Sequence, residues 1–244
     1  MYSWIRKQTK PLEVHIIYKL LSEIALGMYY LHSRKPMIIH RDLKSPNVLV
    51  IIKNIFMFLT FQLDANLVAK ISDFGLSKIK ETTIISNTAI STVGSVPWAA
   101  PEYLTVKRKN ERNEKGDVFS FGVIVWELVT LQTPWKAGNH TIEDIKEYVI
   151  EGVRLEMPKC SEKLQNVMKR CWDHGIWFLV TRIYIFIDPA KRPSFGDLVD
   201  EFQELNEENL IDSQGMNLEQ KELLKVKKAL KERKAELGLS SDSE

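Results

Sequence analysis

The length, composition and charge of the chain limit its architecture and its partners. Its 244 residues are 44% hydrophobic, which suffices for one large domain, or for a domain with a tail. The 34 basic residues nearly balance the 32 acidic ones, so the net charge gives no general attraction to nucleic acid or to an anionic membrane.

Two further features bear on the compartment. The two cysteines, Cys160 and Cys171, show no metal-ligand spacing, which argues against a disulfide framework and predicts a reducing, cytoplasmic location. The N-terminus lacks the apolar core of a signal peptide. The apolar runs at 51–63 and 176–187 are shorter than the roughly 20 residues of a membrane-spanning helix. We therefore expect neither secretion nor a membrane span.

Hydrophobic periodicity predicts the elements in chain order. Apolar residues at helical spacing indicate a buried helix at 12–32, and residues 118–131 are apolar almost all round, as in a central buried helix. Residues 79–92 are rich in Thr, Ser and Asn without a period, which predicts a loop. The remaining predictions are short strands at 37–39, 48–50 and 67–72 and amphipathic helices at 141–151, 161–172 and 194–206.

Four short motifs occur in a fixed order along the chain. Residues 40–47 read HRDLKSPN, 73–75 read DFG, 100–102 read APE and 117–122 read DVFSFG. Phosphoryl transfer needs a carboxylate at the attacking hydroxyl, a cation near the moving phosphoryl group and ligands for metal ions, and these motifs supply such groups. This set resembles the signature of the protein kinase superfamily.

The segment 94–102, GSVPWAAPE, is similar to the tyrosine-kinase-like group of Ser/Thr kinases. The resemblance implies a protein-kinase-like α+β fold. Here that fold is expected to comprise the mainly α-helical C-terminal lobe, with short β-hairpins at the catalytic loop and without the N-terminal lobe.

The resemblance also implies roles for individual residues. Asp42 would be the catalytic base, and Lys44 would stabilise the transferred phosphate. ATP and Mg²⁺ would be the cofactors, with Asn47 and Asp73 holding the metal. Leu49 corresponds to the residue beneath the adenine ring, although a plain core role fits equally well.

Further correspondences concern the framework of the site. Arg41 is similar to the arginine that binds a phosphorylated activation loop. Asp117 would accept hydrogen bonds from the backbone of the catalytic loop. Glu102 and Arg192 match an ion pair that fixes the end of the activation segment.

The substrate class follows from two details of the resemblance. Lys44 stands where Ser/Thr kinases have lysine, and Ser95 takes the usual position of a threonine whose hydroxyl would bridge Asp42 and Lys44. Both imply protein substrates phosphorylated on serine or threonine. Ser91 and Thr92 are candidate phosphorylation sites or simply exposed loop residues.

The segments that hold ATP in this family are missing. None of the eleven glycines forms a G-x-G pair, and His40 follows the start by about 40 residues, where a full kinase domain has about 100. Without a glycine-rich loop and a strand lysine, nucleotide would bind weakly and lose its orientation. We therefore expect the chain alone to be weakly active or inactive.

Two apolar segments, 51–63 and 175–187, interrupt the family pattern. Each contains thirteen residues, and removing either restores the usual spacing of the motifs around it. They are interpreted in three ways: as short AT-rich introns read as coding sequence, which we favour, as docking surfaces, or as core elements that replace parts of a lost lobe. A missing 5′ exon would explain the absent lobe by the same cause.

The sequence thus predicts a kinase lobe at 1–210 and a charged helical or disordered tail at 211–244. Within the tail, a short amphipathic helix at 216–238 is a possible partner site. Two function classes remain: a Ser/Thr protein kinase in truncated form, or a non-catalytic binding or scaffold module.

Overall fold

Helices dominate the part of the chain that the structure describes. The computed structural model describes residues 1–52, 67–73, 78–79, 94–105, 113–138, 140–173, 176–179, 182–185 and 188–213. Its helices are α1 (Tyr2–Ile5), α2 (Val14–His32), α3 (Pro101–Leu104), α4 (Lys115–Thr130), α5 (Ile142–Ile150), α6 (Glu162–Cys171) and α7 (Phe195–Ser213).

The strands form antiparallel pairs. In chain order they are β1 (Ile38–Ile39), β2 (Val48–Ile52), β3 (Leu67–Ile71), β4 (Lys78–Ile79), β5 (Ile176–Leu179) and β6 (Arg182–Ile185). β1 pairs with β4, β2 with β3, and β5 with β6. The polar loop at 40–47 therefore lies between two strands, as the sequence predicts.

Helix α4 is the centre of the core. Every residue from Gly116 to Leu128 is buried, which explains why its sequence lacks a polar face. Gly122 allows α6 to approach closely, since a Cβ atom there would lie 2.7 Å from Cβ of Cys171. The prediction for 118–131 is confirmed with shifted ends, because Leu131 adopts a left-handed φ of 58° and ends the helix.

Helices α2 and α7 pack together antiparallel on one side of α4. The ring of Phe202 lies 6.4 Å from that of Tyr18, and the ring of Phe195 lies 5.2 Å from that of His32. The predicted apolar face of α2 is buried throughout. The helices predicted at 141–151, 161–172 and 194–206 correspond to α5, α6 and α7.

The two apolar segments enter the fold as strand residues where they are described. Ile51 and Ile52 lengthen β2 and pair with Val68 and Leu67, and the segment at 175–187 contains β5 and β6. Residues 53–63, most of the predicted loop at 79–92, and the tail from 214 lie outside the described residues. Helix α7 itself continues past 210 to Ser213.

Deleting residues 51–63 is expected to leave the fold intact. The inner pairs from Val48 with Ile71 to Val50 with Ala69 remain, and Ile51 is already 38% exposed. The shorter connection also costs less loop-closure entropy, so the free energy of unfolding should change by only about 1 kcal/mol. Urea denaturation of the full chain and of the deletion variant measures this difference in the free energy of unfolding. A loss of several kcal/mol would instead make the segment part of the core.

Candidate active site

A buried carboxylate at the start of α4 fixes the backbone of the loop at 40–47. Asp117 accepts hydrogen bonds from the backbone N–H of His40 at 2.9 Å and of Arg41 at 2.8 Å. Its Oδ2 also lies 2.9 Å from Nε2 of His32. Arg41 has a φ of 66°, a region that costs free energy for a non-glycine residue. Asp117, which lies on the central helix, thus stabilises the strained loop at 40–47, as the resemblance implies.

The imidazole of His40 links this loop to the end of β3. The backbone N–H of Asp42 donates to Nδ1 of His40 at 3.3 Å, so Nε2 carries the ring proton and donates to the carbonyl of Ser72 at 3.2 Å. The backbone N–H and hydroxyl of Ser72 donate to the carbonyl of Asn47 at 2.8 and 3.0 Å. These bonds place Asp73, the next residue, beside the loop at 40–47.

Four predicted site residues meet at one point. Nδ2 of Asn47 donates to the carbonyl of Asp42 at 2.8 Å and to its Oδ2 at 2.9 Å. Nζ of Lys44 lies 2.9 Å from the same Oδ2 and donates to the hydroxyl of Ser95 at 2.6 Å. The Lys44 ammonium therefore lies between the carboxylate of Asp42 and the hydroxyl of Ser95. The resemblance implied these three residues with the Ser95 hydroxyl as the bridge, whereas in the structure the bridging group is the Lys44 ammonium.

The oxygen donors needed for a magnesium ion are present near this point. Nδ2 of Asn47 donates to Asp42, which leaves Oδ1 as its metal-binding atom. Asp73 is exposed and follows β3, whose pairing with β2 brings it to the same end of the hairpin. Mg²⁺ prefers oxygen ligands and usually takes only one or two carboxylates with substrate phosphates, so this pair fits it.

Leu49 lies on the outward side of the β2–β3 hairpin. Its neighbour Val48 is fully buried, whereas Leu49 is 50% exposed and Ile51, on the same side, is 38% exposed. Alternation along a strand explains the difference. Leu49 is therefore a surface residue in this chain, and the alternative of a plain core role is not supported.

The side chain of Arg41 contains a buried Nε that has no hydrogen-bond partner among the described residues. The candidate phosphorylation sites Ser91 and Thr92 lie outside those residues. The role predicted for Arg41 toward a phosphorylated activation loop stays a prediction.

Glu102 and Arg192 form a fully buried ion pair. Two guanidinium nitrogens of Arg192 donate to the two carboxylate oxygens of Glu102 at 2.6 and 3.0 Å, and both side chains have 0% exposure. Arg192 also donates to the carbonyls of Asp173 and Lys115 at 3.1 and 3.0 Å. The predicted pairing across 90 positions is confirmed.

Helix α4 carries a second buried carboxylate, Glu127, which was not predicted. Its Oε1 accepts from the Ser45 hydroxyl at 2.8 Å and from Arg6 at 2.9 Å, and its Oε2 accepts from Nε1 of Trp98 at 2.7 Å. Burial raises the pKa of Glu127 to about 7, against the lowering effect of these hydrogen bonds. The available signal was that Glu127 is the one charged residue in the apolar stretch 118–131.

Other site classes find little support in the described part of the chain. No group of three or more His, Cys, Asp or Glu side chains there could hold a metal ion. The described helices include none with the length and apolarity to cross a membrane. Cys160 and Cys171 are free thiols, and burial raises the pKa of Cys171 to about 12, which makes it unreactive.

Comparison with known proteins identifies the family. The sequence profile described as "Protein tyrosine and serine/threonine kinase" matches residues 1–202, so the chain belongs to the protein kinase family. This confirms the predicted membership.

The related proteins are consistent with membership of the chain in the tyrosine-kinase-like group. The chain is 39% identical over 180 residues to Serine/threonine-protein kinase CTR1 of Arabidopsis thaliana, covering 73% of this chain and 18% of that protein. It is 36% identical over 200 residues to the same plant's "Probable serine/threonine-protein kinase SIS8", covering 82% and 16%. For "Probable serine/threonine-protein kinase drkD" of Dictyostelium discoideum the identity is 35% over 196 residues, covering 77% and 12%. The chain thus spans less than a fifth of the length of these relatives.

Proposed function

We propose that the chain is the C-terminal lobe of an ATP-dependent protein kinase that phosphorylates serine or threonine hydroxyls of proteins. The observation that carries this proposal is the position of the Lys44 ammonium, between the Asp42 carboxylate and the Ser95 hydroxyl. The Asp42 carboxylate can act as a base and the Lys44 ammonium is a cation, and both lie beside Ser95. This arrangement suits transfer of a phosphoryl group to a hydroxyl. The serine/threonine kinases among its relatives support the same substrate class.

Each residue of the site has a distinct task in this proposal. Asp42 orients the substrate hydroxyl and accepts its proton, while Asn47 holds the Asp42 carboxylate in place by a hydrogen bond of 2.9 Å. Lys44 stabilises the negative charge of the transferred group. Ser95 fixes the Lys44 ammonium, and through it favours serine or threonine substrates.

ATP and Mg²⁺ are the proposed cofactors. Asn47 and Asp73 would hold the metal through oxygen atoms, and the metal would neutralise charge on the phosphates of ATP. Leu49 would contact the adenine ring from the outward side of β2, where its side chain is half exposed.

We also propose a domain organisation for the chain, and the family match over residues 1–202 supports its first part. Residues 1–210 form the lobe, with the apolar segments 51–63 and 175–187 as additions, and 211–244 form a tail in which 216–238 is a candidate partner site. The glycine-rich loop and strand lysine are absent from the sequence, so the chain alone is weakly active or inactive. Its free thiols suit a reducing, cytoplasmic location.

A phosphotransfer assay tests the proposal. The chain alone and the chain joined to the N-terminal lobe of a related kinase are incubated with Mg-ATP and a basic protein substrate. Phosphorylation of serine or threonine is expected only when the lobe is present. Asp42→Ala should lower it by a factor of about 10² to 10⁴, the usual contribution of a general base.

Glu143→Ala is the matched control for this assay, because Glu143 is an exposed acidic residue on α5 and should leave the rate unchanged. If neither form transfers phosphate, the kinase proposal is wrong. The non-catalytic binding or scaffold module would then be the better interpretation.

A further inference from the structure

Three aromatic rings meet where the loop after α4 leads into α5. The ring of Tyr148 lies 6.3 Å from that of Trp135, with 31° between their planes, and 5.2 Å from that of His140, with 90° between the planes. Trp135 also packs against the core, but none of the three residues is fully buried. Trp135, His140 and Tyr148 therefore form an aromatic cluster that the solvent can reach.

The backbone around the aromatic cluster is strained at one residue and tightly turned at another. Trp135 has a φ of 62°, in the left-handed region that bulky residues rarely adopt. Gly138 has a φ of 124°, and a Cβ atom there would lie only 2.5 Å from Nε2 of His140. The turn thus needs glycine so that the imidazole can lie against it. Strain of the kind seen at Trp135 costs free energy and concentrates at binding and active sites, which points to a functional role for the cluster.

A carboxylate accompanies the aromatic cluster. Asp144 precedes Tyr148 by one turn of α5, so the two side chains lie on the same side of the helix. The Asp144 carboxylate accepts a hydrogen bond from the backbone N–H of Thr141 at 2.8 Å, which lowers its pKa and keeps it ionised at neutral pH. The stretch 135–151 contains four acidic residues and two lysines. The surroundings of the cluster are therefore negative on balance.

The chemistry of these groups suits a cation. The faces of aromatic rings carry negative potential and attract ammonium and guanidinium groups, and a nearby carboxylate adds to that attraction. In the described part of the chain, the cation–π contacts lie elsewhere, over the rings of Tyr2, Tyr30 and Phe119. The cluster is therefore suited to a cationic group from another molecule.

The aromatic cluster includes a residue of a helix that borders the proposed phosphotransfer site. Helix α5 packs against α3 and against the turn Val96–Trp98, which directly follows Ser95. The Ser95 hydroxyl in turn accepts from the Lys44 ammonium at 2.6 Å. A protein chain that presents a hydroxyl to Asp42 can therefore also reach α5.

We propose that the aromatic cluster and Asp144 bind a cationic side chain of the protein substrate, at a position away from the phosphorylated residue. Arginine is preferred to lysine, because its planar guanidinium stacks on the rings of Trp and Tyr. The site selects the substrate and takes no part in the chemical step. Its role in substrate selection rests on the proposed kinase function, whereas the binding of arginine does not.

Binding of peptides to the full chain tests the proposal without phosphotransfer. Each probe is an otherwise uncharged peptide of about 20 residues, roughly 65–70 Å long when extended, with one serine near its middle. A single arginine stands at a different position in each peptide, and glutamine replaces it in a matched peptide. Fluorescence anisotropy should show, for at least one position, a Kd about three- to tenfold lower for the arginine peptide than for its glutamine counterpart.

Variants of Tyr148 assign this preference to the aromatic cluster. Tyr148→Leu keeps an apolar side chain but removes the ring, so it should abolish the preference for arginine, whereas Tyr148→Phe keeps the ring and should retain it. If Tyr148→Leu does not fold, His140→Ala makes the same comparison. The matched control is Tyr30→Leu, which removes an exposed ring on α2 and should leave the preference unchanged.

The chain joined to the N-terminal lobe of a related kinase extends the test to catalysis. There, Tyr148→Leu should raise KM for the arginine peptide about three- to tenfold and leave kcat unchanged. The proposal is overturned if no arginine position lowers the Kd of the wild type, if Tyr148→Leu keeps the preference, or if Tyr30→Leu loses it equally. A failed kinase assay beside an intact arginine preference would contradict the kinase function and support the cation site.

Discussion

Replacing Arg192 with methionine is expected to lower the free energy of unfolding by about 3–5 kcal/mol. Glu102 would keep its charge in a fully buried site and lose both of its hydrogen bonds from the guanidinium. The carbonyls of Asp173 and Lys115 would also lose a donor. Urea denaturation followed by circular dichroism measures the change.

A second ion pair in the same domain serves as the control. Arg170 of α6 pairs with Glu201 of α7, but their side chains are 38% and 26% exposed. Water solvates such a pair, so Arg170→Met should cost only about 1 kcal/mol or less. Adding Glu102→Leu to Arg192→Met should restore part of the lost stability, because no buried charge then remains unpaired. Equal losses in the two single variants would contradict this account.

Local patterns in the sequence predict most of the helices because burial repeats with the helical period. α2 shows an apolar face along its whole length, and α4 is apolar all round because it is covered on every side. The residues at which helices end are less predictable. Leu131 ends α4 in a left-handed conformation that usually favours glycine, and tertiary packing overrides that preference.

The candidate site likewise contains residues that local motifs predict and contacts that they do not. The motifs at 40–47 and 73–75 pointed to Asp42, Lys44 and Asn47 through their resemblance to the protein kinase signature, and the structure brings these three side chains together. The pairing of Glu102 with Arg192 spans 90 positions and was predicted only through the family resemblance. The sequence could single out Glu127 as the one charge in 118–131 but not its partners, since its donors come from segments up to 121 positions away and share no local pattern with it.

Replacing Asp117 with alanine should lower the free energy of unfolding about as much as the loss of Arg192. The cause differs, because backbone N–H groups are left without an acceptor and no charge is left unpaired. The N–H groups of His40, which is buried, and of Arg41, which is partly buried, would lose their acceptor, at a cost of about 1–3 kcal/mol each. The strained φ of 66° at Arg41 would also lose its main support. We therefore expect a total loss of about 3–5 kcal/mol in the free energy of unfolding, together with rapid exchange of the two amide hydrogens.

The variant Asp117→Asn separates geometry from charge. It has the same shape but only one acceptor oxygen, so it should lose less stability than Asp117→Ala, yet it should still release one of the two N–H groups. Asp197 is the matched control, because it also accepts from a backbone N–H at the start of a helix, that of Ser194 at 2.7 Å, but it is exposed. Asp197→Ala should cost only about 1 kcal/mol. If the two alanine variants lose the same stability, burial of the Asp117 carboxylate is not what fixes the catalytic loop. A larger loss confined to Asp117, with fast exchange at 40–41, would assign that role to its two backbone hydrogen bonds.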